Sequence, residues 1–575
     1  RILESKNVSG QLFISMTHQK VLQALRQADY LSPKYHVVIA NPPYMGGKGM
    51  NGRLKTWSKD EYPNSKADLF AMFIERALEM PLLKGMIAMV TMEAWMFLTS
   101  YTNLRRSLLN ASTLQRLIHL PYEGKAPTAM GISFGVCAFV KKKHRNGKSK
   151  GSYSRLRYFD LNKDGTPKTL IKIINPEFWK DQNSLSLIPG STIAFDATDK
   201  SIDLFILKPL SEEFSSGGRC KTSNDEVFLR RLWEVSVRKV GVDNRWCLLS
   251  KGGDFRRYFG NIDTVIRWDE EAKLEYSSKG GLTRPEFWEK SGITWTIVSS
   301  RGAYAFRLKD GGTQYNSVSP TLFGQHIEFA LAYLNSTVAS NELKIIAPTL
   351  AANVGEVLNL PFRSQVITDV KERATTLIAC SRADWDSYET SWDFTSLPIL
   401  NSDYRQPTLK ATYQKLRAYW REMTLEMQRL EEENNRIFID AYGLQDELTP
   451  EVPLNEITLT CNPHYRYGGN KSEDELEALL LADTLRELVS YAVGCMFGRY
   501  SLDKPGLILA NQGETLADYL RQVPKPCFPA DGDNVIPMLD GNWFTDDIVE
   551  RFRKYLRVAF GEEHYEDNLR FVEQG

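Results

Sequence analysis

Apolar and polar positions alternate along the first 140 residues in two periods that predict a mixed α/β fold. Residues 37–40 form a short, mostly β-branched run, Val-Val-Ile-Ala, which is typical of a buried strand. Residues 68–84 repeat apolar side chains every three or four positions, which predicts a helix that Pro81 and Gly85 terminate. The apolar face of this helix consists of Leu69, Phe70, Phe73, Ile74, Ala77 and Leu78.

Further elements follow in the same alternation. The patterns predict a buried strand at residues 86–91, a helix at 98–110, a strand at 117–120 and a longer strand at 132–140. Strand, helix, strand, helix and two further strands indicate one half of a doubly wound sheet. Ligands bind at the carboxyl ends of the strands in such sheets, so the loop after residue 40 is a candidate site.

That loop is Asn41-Pro42-Pro43-Tyr44. The exocyclic amine of adenine is a poor nucleophile because its lone pair is delocalised into the ring, and two fixed hydrogen-bond acceptors can draw its N–H groups out of the ring plane. The side-chain oxygen of Asn41 and the backbone carbonyl of Pro42 can serve as these acceptors. The two prolines stiffen the loop, and Tyr44 offers a ring on which a flipped base can stack.

Two plainer interpretations of the same residues stay open. Pro-Pro-Tyr also occurs in ordinary polyproline turns and in ligands of peptide-recognition domains. The α/β order around the loop, with the loop at the carboxyl end of its strand, favours the catalytic interpretation.

The middle of the chain predicts a mixed α/β domain over residues 161–365, where short strand-like runs alternate with Gly and Pro turns. It is preceded by a basic run at 141–157, which fits a solvated linker or a loop that contacts phosphates. Basic, aromatic and glycine residues mix at 251–258 and 300–307, where arginines can contact base edges or phosphates, although an ordinary surface fits as well. The arginines predicted to bind DNA are Arg256, Arg257, Arg301 and Arg307.

The last third of the chain predicts a mainly helical C-terminal domain. One helical pattern covers residues 407–442 and ends at Gly443, and another covers 473–497 with Ser472 as its N-cap. The predicted domains are therefore residues 1–160, 161–365 and 366–575.

Composition narrows the class of protein. A chain of 575 residues with 42% apolar content suggests three or more domains with sizeable cores. The net charge is only +1, so a nucleic-acid partner requires a local basic surface. Seven scattered cysteines without zinc-site spacing predict reduced thiols in a cytoplasmic protein and no metal site. The sequence predicts no signal peptide and no membrane span.

Residues 41–44, 67–78 and 84–91 together resemble the amino-group DNA methyltransferases, specifically adenine-N6 enzymes whose motif order runs from cofactor to catalysis to target recognition. The resemblance implies that residues 1–160 are the second half of a doubly wound methyltransferase sheet and that residues 161–365 are a target-recognition domain. It also implies S-adenosylmethionine as the cofactor and double-stranded DNA as the substrate.

The resemblance assigns roles to individual residues. It implies catalytic roles for Asn41, Pro42, Pro43 and Tyr44, and contacts of Asn41 and Phe73 with the cofactor. Stacking of the flipped base on Tyr44 and Tyr122 is a further implication. Phe73 fits plain core packing equally well. Phe134 is a weaker alternative to Tyr122 because it falls inside a predicted strand.

Residues 385–394, 434–444 and 491–500 extend the resemblance to the PglX methyltransferases of the BREX phage-exclusion systems. That resemblance implies a nucleoid-associated cytoplasmic enzyme that methylates host DNA at a non-palindromic site. Other BREX components would act with it against unmarked phage DNA.

The glycine-rich cofactor loop of the family, which follows a first strand, has no counterpart in the sequence, and too few residues precede Asn41 to hold it. The sequence therefore predicts the C-terminal part of a longer protein. Two rival functions stay open. One is the methyltransferase and specificity part of a fused restriction–modification enzyme, and the other is a DNA-recognition module that is inactive without the N-terminal portion.

Overall fold

The computed structural model describes residues 5, 12–122, 134–144, 150–156, 162, 177–298, 303–348, 351–363, 368–539, 541 and 543–575. Arg301 and the first two residues of the strand predicted at 132–140 lie outside these ranges. Contacts divide the chain into two compact units, one comprising Arg1–Leu207 with Lys344–Pro348 and the other Lys208–Leu343 with Thr349–Gly575. The three predicted domains stay a prediction.

The described residues of the first unit form a mixed six-stranded sheet and six α-helices. The strands are β1 (Tyr35–Ala40), β2 (Pro81–Met92), β3 (Thr113–Leu120), β4 (Val136–Lys142), β5 (Lys150–Arg155) and β6 (Phe178–Asp181). The helices are α1 (Leu12–Leu31), α2 (Gly52–Glu61), α3 (Leu69–Ala77), α4 (Thr102–Ala111), α5 (Gln182–Leu187) and α6 (Asp199–Asp203). The predicted alternation of strands and helices is confirmed.

The sheet of this unit has the strand order β1-β2-β4-β3-β5-β6. Strand β1 runs parallel to β2, and β3 runs parallel to β5. Strand β4 lies antiparallel between β2 and β3 and is hydrogen-bonded to both. The ends of β2 and β3 and the start of β4 therefore meet at the edge of the sheet where β1 also ends.

The prediction that residues 37–40 are a buried strand is wrong in one respect, because β1 is exposed. Val37 is 52% exposed and Ile39 is 77% exposed. Within the described residues β1 pairs with β2 alone and forms one edge of the sheet. Its apolar side chains therefore lack the cover that a central strand receives from neighbours on both sides.

The helix predicted at residues 68–84 is also corrected, because α3 ends at Ala77 and β2 begins at Pro81. Proline lacks an N–H group and disfavours helical geometry at the residue before it, so the chain leaves the helix ahead of this position. Strand β2 then buries only one of its faces at its carboxyl end. The buried residues there are Ile87, Met89 and Thr91.

Lys141 belongs to the basic run predicted as a solvated or phosphate-binding loop, yet it lies in β4 and is 1% exposed. Its Nζ donates a hydrogen bond of 3.2 Å to the carbonyl oxygen of Leu108, in the last turn of α4. Carbonyl groups in a last helical turn lack partners within the helix, so a lysine side chain is a suitable donor. Burial lowers the pKa of Lys141 from 10.5 to about 7.

Lys141→Met is expected to raise the free energy of unfolding by about 2 kcal/mol at pH 7, after allowing for the lost hydrogen bond. Between the folded pKa and that of an unfolded lysine, the unfolded chain binds a proton that the folded chain lacks. The loss of folding stability caused by burying Lys141 is therefore full at and below the folded pKa, and it decreases as the pH rises toward the pKa of an unfolded lysine. The stability gained by Lys141→Met decreases in parallel.

Urea denaturation of the Lys141→Met chain at pH 7 and at about pH 10 measures this dependence. Lys142→Met, on the neighbouring and less buried residue of β4, is the matched control. A gain of equal size at both pH values would contradict the assignment of the effect to the buried amine.

The described residues of the second unit contain two four-stranded sheets, with orders β13-β9-β10-β8 and β12-β11-β14-β7. Their strands are β7 (Phe214–Ser216), β8 (Leu229–Arg231), β9 (Trp246–Ser250), β10 (Thr264–Arg267), β11 (Gly292–Trp295), β12 (Phe306–Lys309), β13 (Gln314–Tyr315) and β14 (Thr321–Gly324). All their pairings are antiparallel except that of β13 with β9. Mixed α/β structure with short strands is thus confirmed for this region.

The remaining helices begin between the short strands and dominate the chain after residue 368. They are α7 (Asp225–Phe228), α8 (Glu270–Ser278), α9 (Ile327–Leu334), α10 (Thr337–Ile346), α11 (Val354–Leu358), α12 (Thr368–Asp386), α13 (Leu409–Tyr442), α14 (Pro463–Tyr467), α15 (Glu473–Met496), α16 (Leu516–Gln522), α17 (Ile548–Phe560) and α18 (Tyr565–Gln574). The predicted stop at Gly443 is confirmed, with φ of 71°, and so is the Ser472 cap, whose hydroxyl accepts from the Glu475 N–H.

The described residues hold neither a candidate membrane span nor a cluster of metal-binding side chains. None of the helices there is both long and apolar enough to cross a membrane. Nor do three or more His, Cys, Asp or Glu side chains converge in that part of the chain as a metal site would require.

Candidate active site

The Asn41–Tyr44 loop follows the last residue of β1, at the carboxyl end of the strand, and has no helical or strand structure of its own. Asn41 and Pro43 are exposed, whereas Pro42 is buried. No donor among the described residues bonds to the carbonyl oxygen of Pro42. The Asn41 side chain is thus exposed, and the Pro42 carbonyl has no hydrogen-bond donor among the described residues.

Tyr44 is held by aromatic neighbours while 36% of it stays exposed. Its ring lies edge-on to Phe70 of α3 at 6.0 Å and to Phe134 at 5.4 Å between centroids. Burial, and to a lesser extent the nearby Cys137 thiol, raises the pKa of Tyr44 above its usual value. The phenol therefore stays protonated, and its hydroxyl donates a long hydrogen bond of 3.5 Å to Asn41 Oδ1.

Asp68 anchors the loop to the helix that follows it. Its Oδ1 accepts from the Met45 N–H at 2.9 Å and from the Phe70 N–H at 3.3 Å, so one carboxylate holds the loop and caps α3. The Leu69 N–H donates back to the Met45 carbonyl at 3.1 Å. The position of Tyr44 relative to α3 is therefore fixed by hydrogen bonds on the residue immediately after it.

Asp68→Ala is expected to destabilise the first unit by about 1–2 kcal/mol, because the N-cap of α3 and the loop anchor are lost together. We expect a decrease of about tenfold in any activity that depends on the position of the Asn41–Tyr44 loop. Asp68→Asn is the matched control, because its amide oxygen can still accept both hydrogen bonds. Thermal unfolding and an activity assay on both variants measure the difference, and equal losses for alanine and asparagine would contradict the anchoring role.

Phe73 and Tyr122 are two further residues predicted to belong to the site. Phe73 is 42% exposed on α3, whereas Phe70, Ala71, Met72 and Ile74 beside it are buried. Within the described residues the Phe73 ring is therefore only partly covered, and its contact with a cofactor stays a prediction. Tyr122 lies two residues after β3 and is 38% exposed.

Phe134 lies beside the Asn41–Tyr44 loop, which its sequence pattern did not indicate. It does not lie inside a strand, as predicted, but two residues before β4, with its ring against Tyr44. Gly135, which follows it, is the signal that could have moved the start of the predicted strand to a later residue, since glycine is unfavourable in a strand interior. Phe134 thus joins Tyr44 in the candidate site.

The prediction that Arg256 and Arg257 contact DNA is contradicted, because both side chains are buried and paired within the second unit. Arg256 is 3% exposed and donates to Asp384 Oδ2 at 2.7 Å. Arg257 donates to Glu431 at 2.5 Å and to Glu456 at 2.8 Å. With their guanidinium groups engaged by carboxylates, these arginines link the connection between β9 and β10 to α12 and α13 and are not available to a phosphate.

Arg307 is likewise removed from the predicted DNA surface. It is 0% exposed in β12, and burial lowers its pKa to about 10. Its guanidinium donates to the Arg256 carbonyl and to the Thr296 hydroxyl, both at 3.4 Å. The fourth arginine, Arg301, lies outside the described residues, so its predicted contact with DNA stays a prediction.

Comparisons with known proteins agree with the motif-based resemblance. Residues 9–125 match the model of the Eco57I restriction–modification methylase family. Over 98% of its length the chain is 32% identical to the adenine-specific methyltransferase BrxX of Escherichia coli O9:H4 (strain HS), of which it covers 47%. Over 99% of its length it is 32% identical to the adenine-specific methyltransferase PglX of Lacticaseibacillus casei (strain Zhang), of which it covers 48%.

Among solved structures, the type IIL restriction–modification enzyme MmeI in complex with DNA aligns with 79% of this chain and 57% of its own, with a TM-score of 0.44 and 10% identity. The chain spans about half the length of the curated relatives it matches. The resemblance predicted from the motifs is confirmed: along nearly its whole length this chain is similar to the PglX and BrxX adenine-specific methyltransferases.

Proposed function

We propose that this chain forms part of a site-specific DNA methyltransferase that transfers a methyl group to the N6 amine of adenine. The observation that carries the proposal is the Asn41–Tyr44 loop at the carboxyl end of β1, with an exposed amide and a proline carbonyl to which no described residue donates a hydrogen bond. The similarity to adenine-specific methyltransferases over almost the entire chain supports the same function.

The residues of the loop account for the chemistry of the amine. Asn41 Oδ1 and the Pro42 carbonyl accept the two N–H groups of the amine, which draws the lone pair of its nitrogen away from the ring. Because Pro43 and the Asp68 anchor hold the loop in place, these acceptors need little reorganisation when the base arrives. The target base is flipped out of the duplex and stacks on Tyr44, which offsets part of the cost of unstacking.

A second aromatic residue would hold the other side of the site. The predicted candidate is Tyr122, which is exposed after β3. Phe134 packs edge-on against Tyr44, with 5.4 Å between the ring centroids, so no base fits between these two rings. We therefore keep Tyr122 as the second stacking residue and assign Phe134 to holding the Tyr44 ring in place.

The described residues supply part of a binding site for S-adenosylmethionine. Asn41 and the exposed ring of Phe73 fit contacts with its methionine and adenine portions, respectively. Residues 12–31, ahead of β1, form the helix α1 and no glycine-rich loop. The cofactor would supply an activated methyl group, while the residues of this chain would orient the amine that receives it.

The biological setting proposed for this activity is a BREX phage-defence system. Methylation of host DNA at a non-palindromic site would mark it, and other components of the system would act on unmarked phage DNA. The second unit, with its two small sheets, would recognise the site on double-stranded DNA.

Methylation of host DNA tests this function directly. The gene is expressed in a host without other adenine methyltransferases, and long-read sequencing maps N6-methyladenine across the genome. The expected result is a single non-palindromic motif methylated on one strand. Absence of the mark, from a protein that binds S-adenosylmethionine and DNA, would contradict the proposal.

A DNA-recognition module without activity is the second candidate for this chain. A titration with S-adenosylmethionine separates the two functions. Calorimetric binding by the 575-residue chain supports catalysis by the chain itself. Binding of DNA without the cofactor supports the recognition module.

A further inference from the structure

Glu93 and His119 form a buried pair that spans the carboxyl edge of the sheet in the first unit. Glu93 directly follows β2, and His119 is the penultimate residue of β3. Glu93 Oε2 lies 2.6 Å from His119 Nε2, and the two side chains are 16% and 7% exposed. Since β4 lies between β2 and β3, the pair bridges two strands that do not touch each other.

The bridge passes Gly135, the residue immediately before β4, where the backbone leaves just enough room for a carboxylate. A Cβ at Gly135 would lie 2.1 Å from the carboxyl carbon of Glu93 and 2.2 Å from its Oε2. The Glu93 N–H also donates to the Gly135 carbonyl at 2.9 Å. Any side chain at this position would therefore expel the Glu93 carboxylate and break the pair.

The surroundings of the pair leave it few other roles. The His119 ring packs edge-on against Phe195 at 6.1 Å, and its Nδ1 has no hydrogen-bond partner among the described residues. Thr91 and Cys137, on the same face of the sheet, satisfy each other and the Trp95 indole. A largely buried pair of ionisable side chains is often no more stable than apolar residues of similar volume. Its presence beside a candidate active site therefore points to a positional role.

We propose that Glu93 and His119 are positioning residues for the base-stacking site, because by clamping β4 at Gly135 they fix Phe134 against Tyr44. Phe134 immediately precedes Gly135, and its ring centroid lies 5.4 Å from that of Tyr44. Neither Glu93 nor His119 needs to touch the substrate. The inference rests on the proposed function, since it assigns the pair to the site at which the flipped adenine stacks.

A double-mutant cycle between Gly135 and Glu93 tests the clamp. Gly135→Ala is expected to displace the Glu93 carboxylate and to lower the methylation rate about tenfold, with an unchanged affinity for DNA. In a Glu93→Ala background the clash is absent, so the same Gly135→Ala change is expected to alter the rate less than about twofold. Equal effects of Gly135→Ala in both backgrounds would overturn the proposal.

A second measurement follows the site without relying on catalysis. The protein is labelled with 3-fluorotyrosine, and the Tyr44 signal in the fluorine NMR spectrum is assigned from the Tyr44→Phe variant. Glu93→Ala and His119→Ala are expected to shift or broaden this signal, while His119→Gln, which can still hydrogen-bond to Glu93, restores most of it. An unaltered Tyr44 signal in both alanine variants would overturn the proposal even if the protein proved to have another activity.

The matched control is a second His–Glu pair in the other unit. His464 Nε2 lies 3.2 Å from Glu473 Oε1, with side chains 25% and 66% exposed. His464→Ala removes the same chemistry from a surface pair and is expected to leave both the Tyr44 signal and the methylation rate unchanged.

The fluorescence of 2-aminopurine at the target position shows whether loss of the clamp reduces base stacking. Reduced stacking with intact DNA binding would support the proposal, and unchanged stacking would contradict it.

Discussion

Asn41→Ala is expected to lower N6-methyladenine in host DNA by at least about 10²–10³-fold, the usual effect of removing one preorganised hydrogen-bonding group from an active site. The loss follows from the geometry of the loop. Alanine removes the side-chain acceptor but leaves the Pro42 carbonyl, the Tyr44 ring and the Asp68 anchor in place. The remaining carbonyl cannot draw both N–H groups of the amine out of the ring plane.

Binding of DNA should survive this change, because Asn41 is exposed and holds no other part of the described fold except the 3.5 Å contact with Tyr44. Asn41→Asp is the graded comparison, since a carboxylate oxygen still accepts a hydrogen bond, and we expect it to retain more methylation than alanine does. Long-read sequencing measures the mark, and fluorescence anisotropy measures DNA binding. Retained methylation in the alanine variant would remove Asn41 from the mechanism.

Asp384→Ala is expected to lower the free energy of unfolding of the second unit by about 3–5 kcal/mol, because it leaves a buried guanidinium without its counter-charge. The Asp384 carboxylate is 2% exposed and accepts from Arg256 at 2.7 Å. It also accepts from the backbone N–H groups of Thr460 and Cys461, at 2.7 and 3.0 Å. One side chain thus holds together three segments that are distant in sequence.

An exposed pair provides the control for this prediction. Glu426 accepts from Arg429 at 2.6 Å on the surface of α13, where the two side chains are 49% and 53% exposed. Glu426→Ala should change stability little, because solvent screens such pairs. Denaturant unfolding of both variants gives the comparison. If Asp384→Ala and Arg256→Glu fold normally and lose only DNA binding, the original interpretation of Arg256 as a DNA contact is restored.

The features that local sequence predicted well are those whose determinants lie within a few residues of one another. The Asn41–Tyr44 loop, the Ser472 cap and the Gly443 stop each depend on short-range chemistry, and each lies where the pattern placed it. Two long helices, α13 and α15, were equally predictable because their apolar faces repeat over many turns.

The predictions that were wrong depend instead on contacts between residues that are far apart in the chain. Arg256 meets its carboxylate 128 residues later and Arg257 meets one of its own 174 residues later, which no local pattern of basic and aromatic residues reveals. The Glu93–His119 pair was missed for the same reason, because its partners are 26 residues apart and a third strand separates them. The exposure of β1 depends on which strands lie beside it, and a run of β-branched residues cannot report that.

The open edge of β1 has a practical consequence for work with this chain. Its outer N–H and C=O groups face no described strand, and Val37 and Ile39 add apolar surface beside them. Such an edge is a template for intermolecular strand pairing, so purified material should aggregate as its concentration rises. A lysine at position 39 would oppose that association through charge repulsion, and would make the chain easier to keep in solution for the measurements described above.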